Sequence, residues 1–353
     1  MGQSRLRSIR SRAALLSAAG LIGILAFAGC SRDRSAPTAP DAASSASSGA
    51  GALSIRRPQD VALVMGIQDR HTPELMRIPG VIGTGTGATA DGRPEVVVFT
   101  DRAGVAGIPA AEEGVIVEAR TVGKVVAYVS PFSRRGGAGG PLEMGTSTGN
   151  DLECSAGTLG CVATKGSTRY FLSNNHVFAR ENAASSGERI DAPGRYDGHP
   201  KCAQTAQCAT LANYVKVSFT SNNTVDCALA QPVAGLSYTA GEAGGYAPTS
   251  TVAGAYIGQP VKKTGRTSGL TTGTVQAINV TIQVQYSSGV ATFVNQIETP
   301  GNFIRSGDSG SLMVEQSTNN PVGLCFAGGG GGSFENPIGP VLQALGGATI
   351  VGQ

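Results

Sequence analysis

The stretch IRSGDSGSLMV, residues 304–314, sets Ser309 between glycines and beside Asp308, just ahead of an apolar run. A backbone that turns tightly there can present the serine hydroxyl to a cleft. A serine hydroxyl is a weak nucleophile near neutral pH, so chemistry at Ser309 needs a base to take its proton and a third group to orient that base. The chain has 3 histidines. His71, in QDRHTPE, reads as a solvated residue of a helix surface or turn, and His199, in DGHPKC, as an exposed loop residue. His176 follows RYFLSN and Asn175, where a buried strand ends and a rigid scaffold presents a side chain. Asp226, in NNTVDCALAQP, enters an apolar run, where a carboxylate is costly unless paired. An imidazole N–H is one suitable partner, and a turn cap is the other reading. Asp191 and Asp197 compete from the loop-like IDAPGRYDGHP.

The elements that must position these groups are short and β-like. With 41% hydrophobic residues, 51 glycines, no tryptophan and 14% charged residues, the 353-residue chain favours many strands and turns around a real core. From about residue 149, runs such as TRYFLSN, VDCALAQ, TGTVQAINVTIQVQY, FVNQIET and PVGLCFAGG are broken by Gly, Asn, Ser and Pro, which points to a β-barrel or sandwich over residues 149–353. The closing NPIGPVLQALG reads as a short helix packing Ile338, Val341, Leu342 and Leu345 onto it. Residues 55–130 combine a helix-like pattern (Val61, Val64, Met65, Leu75) with strand candidates VIGTGTG, PEVVVFT, GVIVEAR and KVVAYV, a small α+β unit. Residues 131–148 are glycine-rich and carry Arg134-Arg135, as a linker, a processing site or an ordinary loop would. A net charge of +3, with scattered Lys and Arg, gives no nucleic-acid surface.

Taken in order, FLSNNHV, DCALA and SGDSGS place His176, Asp226 and Ser309 at intervals of 50 and 83 residues. These segments resemble the catalytic segments of the chymotrypsin-like (trypsin-fold) serine proteases, bacterial secreted branch. The resemblance covers residues 150–345 well and residues 60–130 loosely. It implies a mainly β protein of two six-stranded antiparallel barrels with the site between them, preceded here by the α+β unit. It makes His176 the general base, Asp226 its orienting carboxylate and Ser309 the nucleophile. The N–H groups of Gly307 and Ser309 become the oxyanion hole, whose donors are worth roughly 3–4 kcal/mol each when preorganised. KTGRTSGLTTGTV resembles the family's GRTTG stretch, which would pair Arg266 with Asp308 and hold the oxyanion hole without a freshly cut N-terminus. Two positions depart from the usual pattern: Asn-Asn-His replaces Ala-Ala-His, and Ser311 stands where a second glycine is commoner. The GDSGS ending, GRTSGLTTG and the N-terminal IPGVIGTGTG together resemble a bacterial branch related to the plant narrow-leaf protease. Phe303, six residues before the nucleophile, would floor a shallow or apolar substrate pocket, and FAGGGGGSF would wall it with backbone free to pair an extended peptide.

Residues 1–29 read as an export signal, with Arg5, Arg7, Arg10 and Arg12 ahead of an apolar run too short for a permanent span. Ala26-Phe27-Ala28 fits plain secretion, while Phe27-Ala28-Gly29-Cys30 resembles a lipobox that would lipidate Cys30 and anchor the protein to a membrane through a flexible tether, residues 30–54. The count favours the lipobox, because removing Cys30 from 7 cysteines leaves an even number for an oxidising compartment. Cys154 with Cys161, Cys202 with Cys208, and Cys227 with Cys325 are the pairs considered, although six cysteines allow fifteen connectivities. No cofactor or metal is expected, since CxxC spacing is absent. The expected partner is a peptide substrate, met by a monomer. Residues 55–130 would either assist folding of a slow long-range β topology or stay as an accessory domain.

Overall fold

The computed structural model describes residues 52–127 and 140–352. The signal segment, the Cys30 lipidation site and most of the tether lie outside the described residues, as do residues 128–130 of the expected α+β unit and 131–139 of the expected linker. The protein is mainly β, as its composition suggests, with two large sheets and few helices.

The first sheet has eight strands, built from Ser147–Asn150, Cys161–Lys165, Thr168–Ser173, Arg189–Asp191, Gln207–Tyr214 and Ala228–Pro232 with two short edge strands. Phe171, Phe178, Leu159, Ile190 and Leu211 fill its interior. The second sheet has twelve strands. Seven of them, from Pro260–Gly265 to Gly332–Pro337, belong to the C-terminal part of the chain. The final helix, Ile338–Ala344, buries Ile338, Val341 and Leu342 with Leu345 against both bodies.

The N-terminal segment extends the second sheet. Val81–Ala88 pairs antiparallel with Ala277–Tyr286, and Pro94–Thr100 follows next to it. Every residue of PEVVVFT is buried because both faces are covered. Val96 and Val98 pack under the helix Pro58–Leu75, while Val97 and Phe99 enter the barrel core with Val280, Ile282 and Phe334. Pro58 opens that helix with its fixed φ, and Asp60 in the first turn accepts from Ser54 N–H at 2.8 Å. The helix meets the strands through Val64, Ile67 and Leu75 and through the buried Gln68, whose amide bonds the Thr84 and Thr86 hydroxyls.

Candidate active site

The strand Thr168–Ser173 runs directly into the four-residue helix Asn175–Phe178, which carries His176. The two asparagines ahead of the histidine tie this turn down. Asn174 Nδ2 donates to the Asp226 carbonyl at 2.7 Å, and Asn175 Nδ2 donates to Asn182 Oδ1 at 2.8 Å and to the Val215 carbonyl at 2.6 Å. Asp226 stands just before the strand Ala228–Pro232, which pairs with Thr168–Ser173 through Ser173 and Ala228. Strand pairing therefore brings His176 and Asp226 together across 50 residues of sequence. Nδ1–H of His176 donates to Asp226 Oδ2 at 2.6 Å, and the His176 amide donates to Oδ1 at 3.3 Å. Burial alone would push the Asp226 carboxyl up, but the charge and N–H of His176 and the Tyr286 hydroxyl outweigh it and hold the group below the usual carboxylate range.

Ser309 sits in a turn whose shape needs its glycines. Gly307 and Gly310 have φ of 96° and 94°, in the left-handed region. A side chain on Gly310 would collide with Ser173 Oγ and the Thr158 carbonyl, and one on Gly307 with the Arg266 guanidinium. Thr158 N–H donates to the Ser309 carbonyl at 2.8 Å, and Thr158 Oγ1 to the Gly307 carbonyl at 2.9 Å, so the first body grips this turn. Among the described residues the N–H groups of Gly307 and Ser309 have no acceptor, which leaves both able to bind an oxyanion. The Ser309 hydroxyl donates to the Phe326 carbonyl at 3.2 Å, and His176 Nε2 has no partner among the described residues. Ser309 is 0% and His176 3% exposed. Both side chains are covered, and the Ser309 hydroxyl is engaged away from His176.

The glycine-rich loop is paired by an earlier part of the chain. Val126–Ala127 pairs antiparallel with Ala327 and Gly328, at the start of the glycine-rich loop, and Gly331 N–H donates to the Val122 carbonyl at 3.2 Å. The backbone edge expected to receive an extended peptide is taken by residues 122–127. Phe303 is 1% exposed, packed with Val261, Val275, Ile297 and Met313 and with its ring against Gly273. It belongs to the core and does not line an open pocket here.

Two expectations about the surroundings are corrected. Arg266 does not pair with Asp308: its Nε reaches Asp197 Oδ2 at 2.7 Å and its Nη2 Asp197 Oδ1 at 2.5 Å, a buried bidentate pair. Asp308 instead takes Lys263 Nζ at 2.9 Å, Ser268 Oγ at 2.5 Å, and the amides of Thr267, Ser268 and Arg305 at 2.8, 3.0 and 2.8 Å. Arg266 passes beneath Gly307, so its longer reach ends on the far loop, while Lys263, two strand positions earlier than Gly265, points at Asp308. The cysteine pairing also differs. Cys154 bonds Cys202 with Cα atoms 5.1 Å apart, whereas Cys161, Cys208, Cys227 and Cys325 are buried thiols. Arg195 gathers the two bridged loops by donating to the Asp151 carbonyl at 2.7 Å and the Cys202 carbonyl at 2.7 Å. The four thiols sit on or beside core strands and act as small apolar groups.

Asp191 and Asp197, the competitors of Asp226, serve Arg189 and Arg266. His71 lies between Glu112 and Glu113, and His199 is exposed. Lys263 and Tyr286 were not legible as site residues. The signal for Lys263 was its place on the inward face of PVKKTG, beside a partly exposed Lys262.

No family model matches the chain. It is 33% identical over 113 residues to streptogrisin-A of Streptomyces griseus, a match covering 31% of this chain and 36% of that protein, so the chain spans about a third of the length of the curated relative it matches. Among solved structures it resembles a glutamic acid specific serine protease (22% identity, TM-score 0.44) and Thermobifida fusca protease A (20% identity, TM-score 0.43), each covering 60% of this chain and 100% of the other. The Cellulomonas bogoriensis chymotrypsin gives 21% identity and a TM-score of 0.41 over 60% of this chain and 100% of the other. The chain is similar to bacterial serine proteases of the chymotrypsin-like type.

Proposed function

We propose that this chain is an exported serine endopeptidase of the chymotrypsin-like type, made as a latent precursor and anchored to the cell envelope through Cys30. The observation that carries the reading is the buried His176–Asp226 pair at 2.6 Å, together with a glycine-framed serine whose flanking Gly307 and Ser309 amides have no acceptor among the described residues. In the working enzyme Ser309 leaves the Phe326 carbonyl and turns to His176 Nε2, which takes its proton as Oγ attacks the scissile carbonyl. The oxyanion forms against the Gly307 and Ser309 N–H groups. His176 then protonates the leaving amine, an acyl-enzyme remains on Ser309, and water activated by the same imidazole hydrolyses it. Asp226 stays ionised throughout and orients the ring.

The strand pairing of Val126–Ala127 on Ala327–Gly328 supports latency, because an extended peptide substrate needs that edge. Removal of the segment up to residue 127 would free it. A second reading, a non-catalytic peptide-binding member of the same fold, is favoured by the burial of Ser309 and by its hydroxyl engaging Phe326. Exposing the exported protein to a mixed peptide library and reading cleavage by mass spectrometry separates the two. Cleavage by the wild type and none by Ser309→Ala supports the protease; intact peptides from a processed, folded wild type would leave the binder.

A further inference from the structure

Asp226 Oδ2 accepts two hydrogen bonds, from His176 Nδ1 at 2.6 Å and from the Tyr286 hydroxyl at 2.7 Å. Tyr286 belongs to the other sheet, at the end of the strand Ala277–Tyr286. Its ring stands edge-on to His176 with centroids 5.9 Å apart, is stacked on Phe293 at 6.1 Å and is met edge-on by Phe219 at 5.9 Å. Packed on several sides and 3% exposed, the phenol has little freedom to swing off the carboxylate. Burial and the Asp226 charge push it well above the usual tyrosine range, so it stays a neutral donor. The same sheet also holds the Asp226 backbone: its N–H donates to Asn336 Oδ1 at 2.9 Å, and Asn336 Nδ2 donates to Gln296 Oε1 at 2.5 Å.

We propose that Tyr286 is a positioning residue of the triad, whose hydroxyl fixes the Asp226 carboxylate against His176 and draws charge from the oxygen that faces the imidazolium. The proposal rests on the protease reading. A purely structural tyrosine would fill the core equally well as phenylalanine. A positioning tyrosine does two further things. It keeps the Nδ1 acceptor from rotating, which sets where Nε2 points, and it limits how strongly Asp226 stabilises charge on His176. The other ionisable groups acting on this cluster are Glu181 on Tyr286, Glu153 on His176 and the buried Cys227 thiol beside Asp226.

The test is the kinetics of phosphonylation by a fluorophosphonate across pH, for the processed exported protein and for Tyr286→Phe, with Ser309→Ala as blank. For Tyr286→Phe the maximal rate should fall about 10-fold, the half-saturating probe concentration should stay within about 2-fold, and the acid limb of the profile should move up by roughly half a pH unit. A folded Tyr286→Phe with unchanged rate and unchanged acid limb overturns the proposal. So does a rate loss that follows only the unfolded fraction. If wild type itself fails to react, the protease reading falls and the tyrosine's role with it. Should Tyr286→Phe not fold, 3-fluorotyrosine at position 286 decides the matter: a stronger donor must move the acid limb to lower pH, and an unmoved limb overturns the proposal.

Discussion

The Lys263–Asp308 pair gives the most demanding prediction, because both side chains are 0% exposed and Asp308 adjoins Ser309. Lys263→Met keeps the aliphatic stem and removes the ammonium. Asp308 would keep the Ser268 hydroxyl and three amides among its donors, so the loss should fall at the low end for a broken buried pair, about 3 kcal/mol at neutral pH. At roughly 2 °C per kcal/mol or more for a domain of this size, that is a fall in Tm of about 6 °C or more. The sign of the pH dependence follows from Asp308. Burial alone would raise its carboxyl, but the Lys263 charge and the Ser268 hydrogen bonds hold it below the usual carboxylate range. A depressed carboxyl contributes stability above its unfolded pKa and loses it as pH falls, so the gap between wild type and Lys263→Met should be widest near pH 7 and close on acidification. Denaturant melts at several pH values measure it. A double-mutant cycle with Asp308→Asn should give a coupling above roughly 1 kcal/mol for Lys263 and below about 0.5 for Arg266. A cost under 1 kcal/mol with no closing toward acid, or stronger coupling to Arg266, refutes the reasoning.

Other outcomes are expected together. His176→Ala should reduce peptide hydrolysis by about 10³-fold or more, far beyond what any loss of folded fraction explains, read from progress curves and thermal melts. Cys154→Ser should lower stability by about 2–4 kcal/mol, since the bridge closes a loop across 48 residues, while the four buried thiols should react with a thiol reagent only after denaturation. Burial pushes Glu335 up to about 8, so the folded state holds its proton while the unfolded state releases it, and stability should decline as pH rises from about 4.5 to about 8. Glu335→Gln should flatten that decline in urea melts. On the latency proposal, N-terminal sequencing of the active exported form should begin beyond Ala127, because Val126–Ala127 occupies the Ala327–Gly328 edge; an active form retaining residues 122–127 argues against latency.

Much of the site was legible because it depends on local rules. A serine between two glycines signals left-handed turn positions, and φ values of 96° and 94° at Gly307 and Gly310 bear out that need. His176 stands at a strand end as its context suggests, and the final helix buries the four apolar residues its spacing selects. What stayed hidden depends on distance in sequence. Nothing in PEVVVFT says which sheet will cover its second face, yet Phe99 meets Phe334 with ring centroids 5.7 Å apart. Arg266 and Lys263 are three residues apart with similar charge, and only the strand register decides which reaches Asp308. Nearness in sequence suggests Cys154 with Cys161 and Cys202 with Cys208 as candidates, but Cys154 and Cys202 are joined by loops that fold onto each other. Tyr286 closes the β-type run TGTVQAINVTIQVQY without marking itself as a site residue, because a hydroxyl that crosses between sheets leaves no pattern within its own.

The central claim is that Ser309 is an activated nucleophile. The most direct measurement is reaction of the exported protein with a fluorophosphonate, followed by peptide mapping of the adduct, before and after removal of the segment through residue 127. The account predicts a single adduct on Ser309 that grows faster after removal and is absent from Ser309→Ala and His176→Ala. A folded, processed protein that forms no adduct, or carries it on another residue, contradicts it.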